Sequence, residues 1–316
     1  MSRPPILAII VPCYNEEPVI EETAQRLMAV MDNLKSQSKI APSSFIYFVD
    51  DGSKDNTWSN IVKLHNNNKA IKGLKLSKNV GHQNAILAGL VNVKGQVDCA
   101  ITIDADLQDD VSAIEKMVGN FSQGYEIVYG VRKERKTDSI FKRFTALLFY
   151  KFIKLIGADL VYNHADYRLT SRRVIEELSQ FREVNLFLRG IFPLMGFKSI
   201  NVYYDRGERL AGVSKYPLKK MLAFALEGIT SFSVTPLRLV TLTGAIVFVF
   251  SLALSIWAFI MVFTGNVVPG WASTVIPIYF LGGIQLLSIG LIGEYIGKIY
   301  KEVKVRPKFI KDKELL

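Results

Sequence analysis

From Leu239 to Gly293 the chain runs 55 positions without an Asp, Glu, Lys or Arg, and nothing else in it limits its folding as strongly. The stretch divides in two. Leu239–Phe263 has 25 residues and Ser273–Gly293 has 21, each long enough as a helix to cross roughly 30 Å of hydrocarbon. The connector, Thr264–Ala272, contains Asn266, Pro269, Gly270 and Trp271. Lys215, Lys219, Lys220 and Arg238 precede the stretch, and Lys298, Lys301, Lys304, Arg306 and Lys308 follow it. Basic flanks mark the cytoplasmic side. A multi-pass protein of the plasma (inner) membrane is therefore expected, with both termini cytoplasmic and the turn outside. The competing reading is a helical hairpin buried in a soluble core.

The remainder does not look like a membrane protein. Overall the 316 residues are 49% hydrophobic and 22% charged, and the mean hydropathy of +0.21 owes its excess to the uncharged stretch. Cys13 and Cys99 are the two cysteines, both in apolar runs. A disulfide scaffold is excluded and a reducing compartment fits. No signal-peptide pattern opens the chain, because Ile6–Val11 is too short and ends in Pro12. The net charge of +10 asks for an anionic partner: nucleic acid, anionic lipid or a phosphorylated substrate.

Residues 1–130 alternate two patterns. Leu7–Val11, Phe45–Val49, Ile71–Leu76 and Cys99–Ile103 are short apolar runs of the kind buried on both faces of a sheet. Between them Val19–Lys35, Asn56–Asn66 and His82–Val93 show helical spacing. The order predicts βαβ units, a mostly parallel sheet, and a site at the carboxyl ends of the strands. Beyond them, Phe141, Phe144, Leu148, Phe152 and Leu155 form one helical stripe flanked by Lys142, Arg143, Lys151 and Lys154. It reads either as a surface helix on the core or as a helix lying in a membrane interface. Tyr216–Phe232 has the same character.

Polar residues gather where the strands end. Asp104-Ala105-Asp106-Leu107-Gln108 follows the fourth run; two carboxylates and an amide oxygen are hard ligands suited to Mg²⁺ or Mn²⁺. An Asp-x-Asp alone is a weak signal, and its place after an apolar strand strengthens it. Asp50-Asp51-Gly52-Ser53-Lys54-Asp55 closes the second run, where Ser53 or Asp55 is expected to cap the next helix and the two acids can accept from a nucleobase. Val11-Pro12-Cys13-Tyr14-Asn15-Glu16-Glu17 closes the first. The chain has neither G-x-G-x-x-G nor G-x-x-x-x-G-K-[ST], against dinucleotide oxidoreductases and P-loop enzymes. His65, His82 and His164 are too scattered for zinc, and His82 opens a helix beside the strand ends. Gly282, Gly283, Gly290, Gly293 and Gly297 suggest close helix packing within the hairpin or between subunits of a homo-oligomer.

Taken together, VPCYNEE at 11–17, DDGSKDNT at 50–57, SKNVGHQNAI at 77–86 and DADLQDD at 104–110 resemble the family-2 glycosyltransferases of GT-A fold. GVRKER at 130–135, ADYRL at 165–169 and DRGERLAGVSKY at 205–216, with two C-terminal spans, resemble the polyisoprenyl-phosphate glycosyltransferases within it. Bactoprenol-phosphate glucosyltransferases and dolichyl-phosphate mannose synthase belong to that group. The resemblance covers essentially the whole chain. It departs at Asp110, where the family has Pro, and no functional consequence is expected.

The resemblance implies a metal-dependent, inverting hexosyltransferase that moves a sugar from a nucleotide sugar to polyprenyl (undecaprenyl) phosphate, for modification of a cell-envelope glycan. UDP-glucose is the donor of first choice, on family grounds alone. Pro12, Tyr14, Glu16, Asp50, Asp51 and Asn79, with Asp104, would hold the nucleotide. Asp104, Asp106 and Gln108 would hold the metal. Asp166 would join Asp104 and Asp106 at the reacting centre, as a base or as an orienting group. Arg132, Arg135, Arg206, Arg209 and Lys215 would serve the lipid phosphate and the leaving diphosphate. The implied organisation is a catalytic domain over 1–235, with interface helices near 138–157 and 216–232. Two spans near 237–263 and 273–296 and a basic tail over 298–316 complete it. Nucleic acid is then not a partner. Three other functions compete, one of them a membrane-tethered binding protein on an inactive transferase fold, against which the intact Asp104, Asp106 and Asp166 argue. A processive polysaccharide synthase would carry a Gln-x-x-Arg-Trp motif, and Trp58, Trp257 and Trp271 stand in no such setting. A transporter or flippase component would need polar groups inside its spans.

Overall fold

The computed structural model describes residues 3–106, 108–133, 164–181, 183, 187–205, 235–263 and 271–316. The chain divides into two compact units: one holds a sheet with its helices together with Arg306–Leu316, and the other holds two long helices.

The first unit is an α/β layer structure. Its strands are β1 (Leu7–Cys13), β2 (Phe45–Asp50), β3 (Ile71–Leu76), β4 (Cys99–Thr102), β5 (Ile127–Arg132), β6 (His164–Ser171), β7 (Ser199–Tyr204) and β8 (Lys311–Leu315). They form one eight-stranded sheet in the order β7-β5-β6-β4-β1-β2-β3-β8. β1–β2, β1–β4, β2–β3 and β5–β7 pair parallel, while β6 and β8 run antiparallel to their neighbours. The four expected apolar runs are β1 to β4, to within two residues at their ends.

The helices follow from the same alternation. They are α1 (Ile20–Ser36), α2 (Thr57–Asn67), α3 (His82–Val93), α4 (Ala113–Ser122), α5 (Arg172–Leu178) and α6 (Leu188–Leu194). Successive side chains of a strand point to opposite faces, and in β1 both faces are covered. Leu7, Ile9 and Val11 join a core with Leu27 and Met31 of α1 and Met117 of α4. Ile10 lies on the opposite face against α3, where Gly89 permits the approach: a Cβ there would stand 2.4 Å from Ile10 Cγ2. The stripe Phe141–Leu155 and the segment Tyr216–Phe232 fall outside the described residues.

β8 is an element that periodicity does not announce. Lys311–Leu315 pairs with β3, and Ser77 N donates to Ile310 O (3.0 Å). Leu315 packs against the core, Tyr47 Oη donates to Glu314 Oε1 (3.0 Å), and Asn92 of α3 meets both Glu314 and Lys311. Its charged, exposed pattern suits the edge of a sheet, where unpaired backbone invites further strands.

The second unit contains α7 (Thr235–Phe263) and α8 (Trp271–Val303). α7 opens on Thr235-Pro236, and proline suits a first turn because its missing N–H would have no partner there. α8 runs past Glu294, Lys298 and Lys301 and stops at Val303, before Val305 at φ 45° and Pro307. Leu242, Phe250, Trp257, Phe280, Leu286 and Ile289 all present exposed apolar surface. Among the described residues, Phe280–Val303 is long and apolar enough to cross a membrane.

Candidate active site

The sheet grows in two directions from β1: β2 and β3 on one side, β4 on the other. The crevice beyond the strand ends at such a switch point is where open α/β sheets take ligands. Pro12 is buried opposite Val49 in the β1–β2 ladder, and Tyr14 stands exposed past the strand end. The turn after β1 is laced to the loop after β2. Asn15 N donates to Ser53 Oγ (3.0 Å), Glu16 N to Thr57 Oγ1 (2.9 Å) and Glu17 N to Asp55 Oδ2 (3.2 Å). Asp55 also accepts from Thr57 N and Oγ1 (3.1 and 2.6 Å), but the N-cap of α2 is Asn56, without a side-chain cap bond, so neither Ser53 nor Asp55 is the capping residue.

The two acids closing β2 have separate tasks. Asp51 accepts from Val80 N (2.7 Å) and Gly81 N (3.0 Å), holding the loop after β3 against the end of β2. Gly52 makes this possible, with φ +68° and a Cβ position only 2.6 Å from the Lys78 carbonyl carbon. Asn79 is exposed on that loop. Asp50 is fully buried. Its Oδ1 accepts from Ser53 N (3.1 Å), while Oδ2 has no hydrogen-bond partner among the described residues. Burial raises both carboxyls, Asp50 against the Ser53 hydrogen bonds and Asp51 against those from Val80 and Gly81. A ligand N–H would satisfy the orphaned Asp50 oxygen.

Asp104 follows β4, and Ile103 N still donates to Ile10 O (3.1 Å). The next turn is anchored from α1, where Thr23 Oγ1 donates to Ala105 O (2.8 Å). Asp106 Oδ1 accepts from Gln108 N (3.2 Å), and Gln108 is buried. The Asp104 carboxyl is pushed up to about 6. Burial is the main cause, with Asp109, Asp166 and Asp106 adding to it and His82 opposing it. Such crowding of negative charge suits a divalent cation. Among the described residues no group of three or more His, Cys, Asp or Glu side chains is placed to hold a metal ion. An open set of few protein oxygens is the arrangement used by cations that keep waters and substrate oxygens.

Beside β4 lies β6, where Asp166 and Arg168 share one face and Tyr167 fills the other. Thr102 Oγ1 donates to Asp166 O (2.5 Å), fixing the two strands at this level. Asp166 Oδ1 accepts from Arg168 Nη2 (2.7 Å) and Arg189 Nε (3.2 Å), and its Oδ2 accepts from Arg189 Nη2 (3.0 Å). His82 Nε2 stands 3.3 Å from Asp104 Oδ1 and 3.6 Å from Asp166 Oδ2, bridging the two acids. Burial alone would raise the Asp166 carboxyl. The His82 hydrogen bond and the two guanidinium groups outweigh it and hold the carboxyl well below the usual range. The same acids raise His82 against its own burial.

Of the remaining sequence-predicted residues, Arg132 lies at the end of β5. Its guanidinium donates to Asp109 Oδ1 from Nε (3.1 Å) and Nη2 (2.9 Å), and Tyr204 Oη donates to the same oxygen (2.6 Å). Arg135, Arg206, Arg209 and Lys215 lie outside the described residues. Arg168 and Arg189 carry no role in the sequence reading. The signal for Arg168 was present, since Asp166-x-Arg168 puts opposite charges on one strand face. Arg189 sits in a short helix without periodicity.

The glycosyl transferase family 2 model matches residues 8–179, more than half of the chain, and the GtrB C-terminal hairpin model matches residues 235–299. The glycosyltransferase YkoT of Bacillus subtilis is 56% identical over 98% of this chain and 92% of its own length. The SfII prophage-derived bactoprenol glucosyl transferase of Shigella flexneri is 40% identical over 96% of each chain. Among solved structures, mannosyl-3-phosphoglycerate synthase from Rubrobacter xylanophilus aligns with a TM-score of 0.49 at 14% identity, over 71% of each chain. With its strand-end acids in a mostly parallel sheet, the chain belongs to glycosyl transferase family 2 and its catalytic unit has the GT-A fold.

Proposed function

We propose that this protein transfers a hexose, glucose from UDP-glucose in the first instance, onto polyprenyl phosphate with inversion at the anomeric carbon. One observation carries the reading. The strand-end acids and the C-terminal hairpin occur together in a chain 40% identical, over nearly its full length, to a bactoprenol glucosyl transferase.

The donor lies across the strand ends, its base and ribose toward Tyr14, Asp50 and Asp51 and its diphosphate toward β4. Asp104, Asp106 and Gln108 would hold Mg²⁺ or Mn²⁺, which neutralises the diphosphate when bound. The acceptor is a phosphate monoester with a second pKa near 6, so at pH 7 its oxygen is largely an anionic nucleophile. It forms the new bond to the anomeric carbon as the bond to the nucleoside diphosphate breaks. Orientation and charge neutralisation matter more for this step than a strong base. Asp166, with both oxygens engaged, acts as an orienting group.

The acceptor's tail requires a bilayer, and α7 and α8 form the anchor. β8 supports an even number of crossings: Lys311–Leu315 shares a sheet with β3, so the chain returns after the long helices to the side it left. With the basic flanks this supports cytoplasmic termini, where nucleotide sugars are made. Arg132, Arg135, Arg206, Arg209 and Lys215, which precede the segments Phe141–Leu155 and Tyr216–Phe232 in the sequence, are assigned to the anionic groups at the headgroup level.

The test is incubation of membranes containing the protein with a panel of labelled nucleotide sugars, with and without added polyprenyl phosphate, followed by lipid extraction. One sugar should enter the lipid phase only when polyprenyl phosphate is present. Label in a water-soluble polymer would favour a polysaccharide synthase instead.

A further inference from the structure

We propose that His82 is a positioning residue of the transfer site, its imidazole bridging Asp104 and Asp166 and so holding the Asp104 carboxylate in place for the divalent cation. The proposal rests on the glycosyl-transfer reading above and adds a residue to it. Among the described residues His82 is the one group paired with the Asp104 side chain, its Nε2 3.3 Å from Oδ1. Asp109, Asp166 and Asp106 repel that carboxylate. A cation held by few protein oxygens depends on each of them being fixed, and the partners of the ligands do the fixing.

A brace needs two firm ends, and His82 has both. At one end Nε2 is 3.6 Å from Asp166 Oδ2, and Asp166 is itself locked by Arg168 and Arg189. At the other, His82 is the first residue of α3, and the chain around it is tied on several sides. Val80 N and Gly81 N donate to Asp51, and Asn84 Nδ2 donates to Val80 O (2.9 Å). Leu188 N donates to Gln83 Oε1 (2.9 Å). Gly81 enters the helix at φ +92°, a conformation open to glycine and strained for other residues. One short segment thus joins Asp51 at the end of β2 to Asp104 after β4. Packing does not account for the imidazole, which has 44% of its side chain exposed. The contact needs only an N–H at Nε2, which the neutral ring and the imidazolium can both supply.

The experiment uses the full chain in detergent with UDP and Mn²⁺ as probes, and it reads how much Mn²⁺ tightens UDP binding. His82→Ala should remove most of that gain, a loss of roughly tenfold, with UDP affinity in chelator unchanged. His82→Gln keeps an N–H near the place of Nε2 without a charge, and should retain much of the gain. Thermal unfolding of the metal-free protein checks each fold and gives a second reading. His82→Ala should lower the unfolding temperature by less in an Asp104→Ala background than in wild type. Equal losses in the two backgrounds overturn the proposal. So does a His82→Ala protein that responds to Mn²⁺ as wild type does, or a His82→Gln protein that behaves as His82→Ala. A wild type with no gain from Mn²⁺ overturns it together with the metal assignment. A wild type that shows the His82 effect on binding but transfers no sugar would instead overturn the transferase reading alone.

Discussion

A carboxylate shared by two guanidinium groups is a poor proton acceptor, and this decides what Asp166→Asn should do. The substitution leaves Arg168 buried beside a neutral amide. Removing one partner of a buried pair costs about 3–5 kcal/mol, whereas replacing both with apolar groups is often neutral. Asp166→Asn should therefore lower thermal stability strongly, and the Asp166→Asn/Arg168→Met double variant should recover at least half of that loss in a double-mutant cycle. The folded-state carboxyl is held low, so its contribution is present above the ordinary carboxylate range near pH 4 and lost as pH falls through the folded value. The stability gap between wild type and Asp166→Asn should accordingly narrow in acid. A variant as stable as wild type at pH 7 would remove the pair from the account. Asp106→Ala should abolish transfer with the circular dichroism spectrum unchanged, as should excess chelator, reversibly. Full activity in chelator would contradict the metal assignment.

At the scale of elements, β8 links the chain beyond the long helices to β3 and the loop that follows it. It covers the edge of β3, whose end leads through Ser77 to the loop that Asp51 holds at Val80 and Gly81. Deleting Lys311–Leu316 should lower both the unfolding temperature and the affinity for UDP, measured on the purified protein; an unchanged UDP affinity would confine β8 to edge protection. β1, β2 and β4 were legible because each is buried along its whole length and ends in acids or turn residues, while β3, with Lys72 and Lys75 half-buried, followed from the alternation of strands and helices. β6 was not, because its Asp166 and Arg168 bury as a pair and break the apolar pattern. β8 was hidden for the opposite reason: KDKEL has one partner strand and solvent on its outer side. The position of Asp50, Asp51, Asp104 and Asp106 at or just after strand ends was readable from the apolar runs that precede them. Arg189 owes its position to contacts with β6 and α3, distant in sequence, which no local spacing encodes.

For the whole molecule, orientation across the bilayer is open to thiol labelling, because the native cysteines do not interfere. Cys13 and Cys99 are buried, and burial pushes both thiols up, so neither should react in the folded protein. A cysteine placed by Asn266→Cys should react with an impermeant maleimide from outside intact cells, and one placed by Lys313→Cys only after the membrane is opened. Labelling at 313 from outside would refute the orientation. The central claim, one sugar moved in one displacement onto a lipid phosphate, is tested most directly by isolating the product. Purified full-length protein in nanodiscs containing undecaprenyl phosphate, supplied with UDP-glucose and Mg²⁺ or Mn²⁺, should form a glycolipid one hexose heavier than the acceptor. Its anomeric configuration by NMR should be opposite to that of the donor. A lipid product with retained configuration, or hexose released only to water or polymer, would contradict the account.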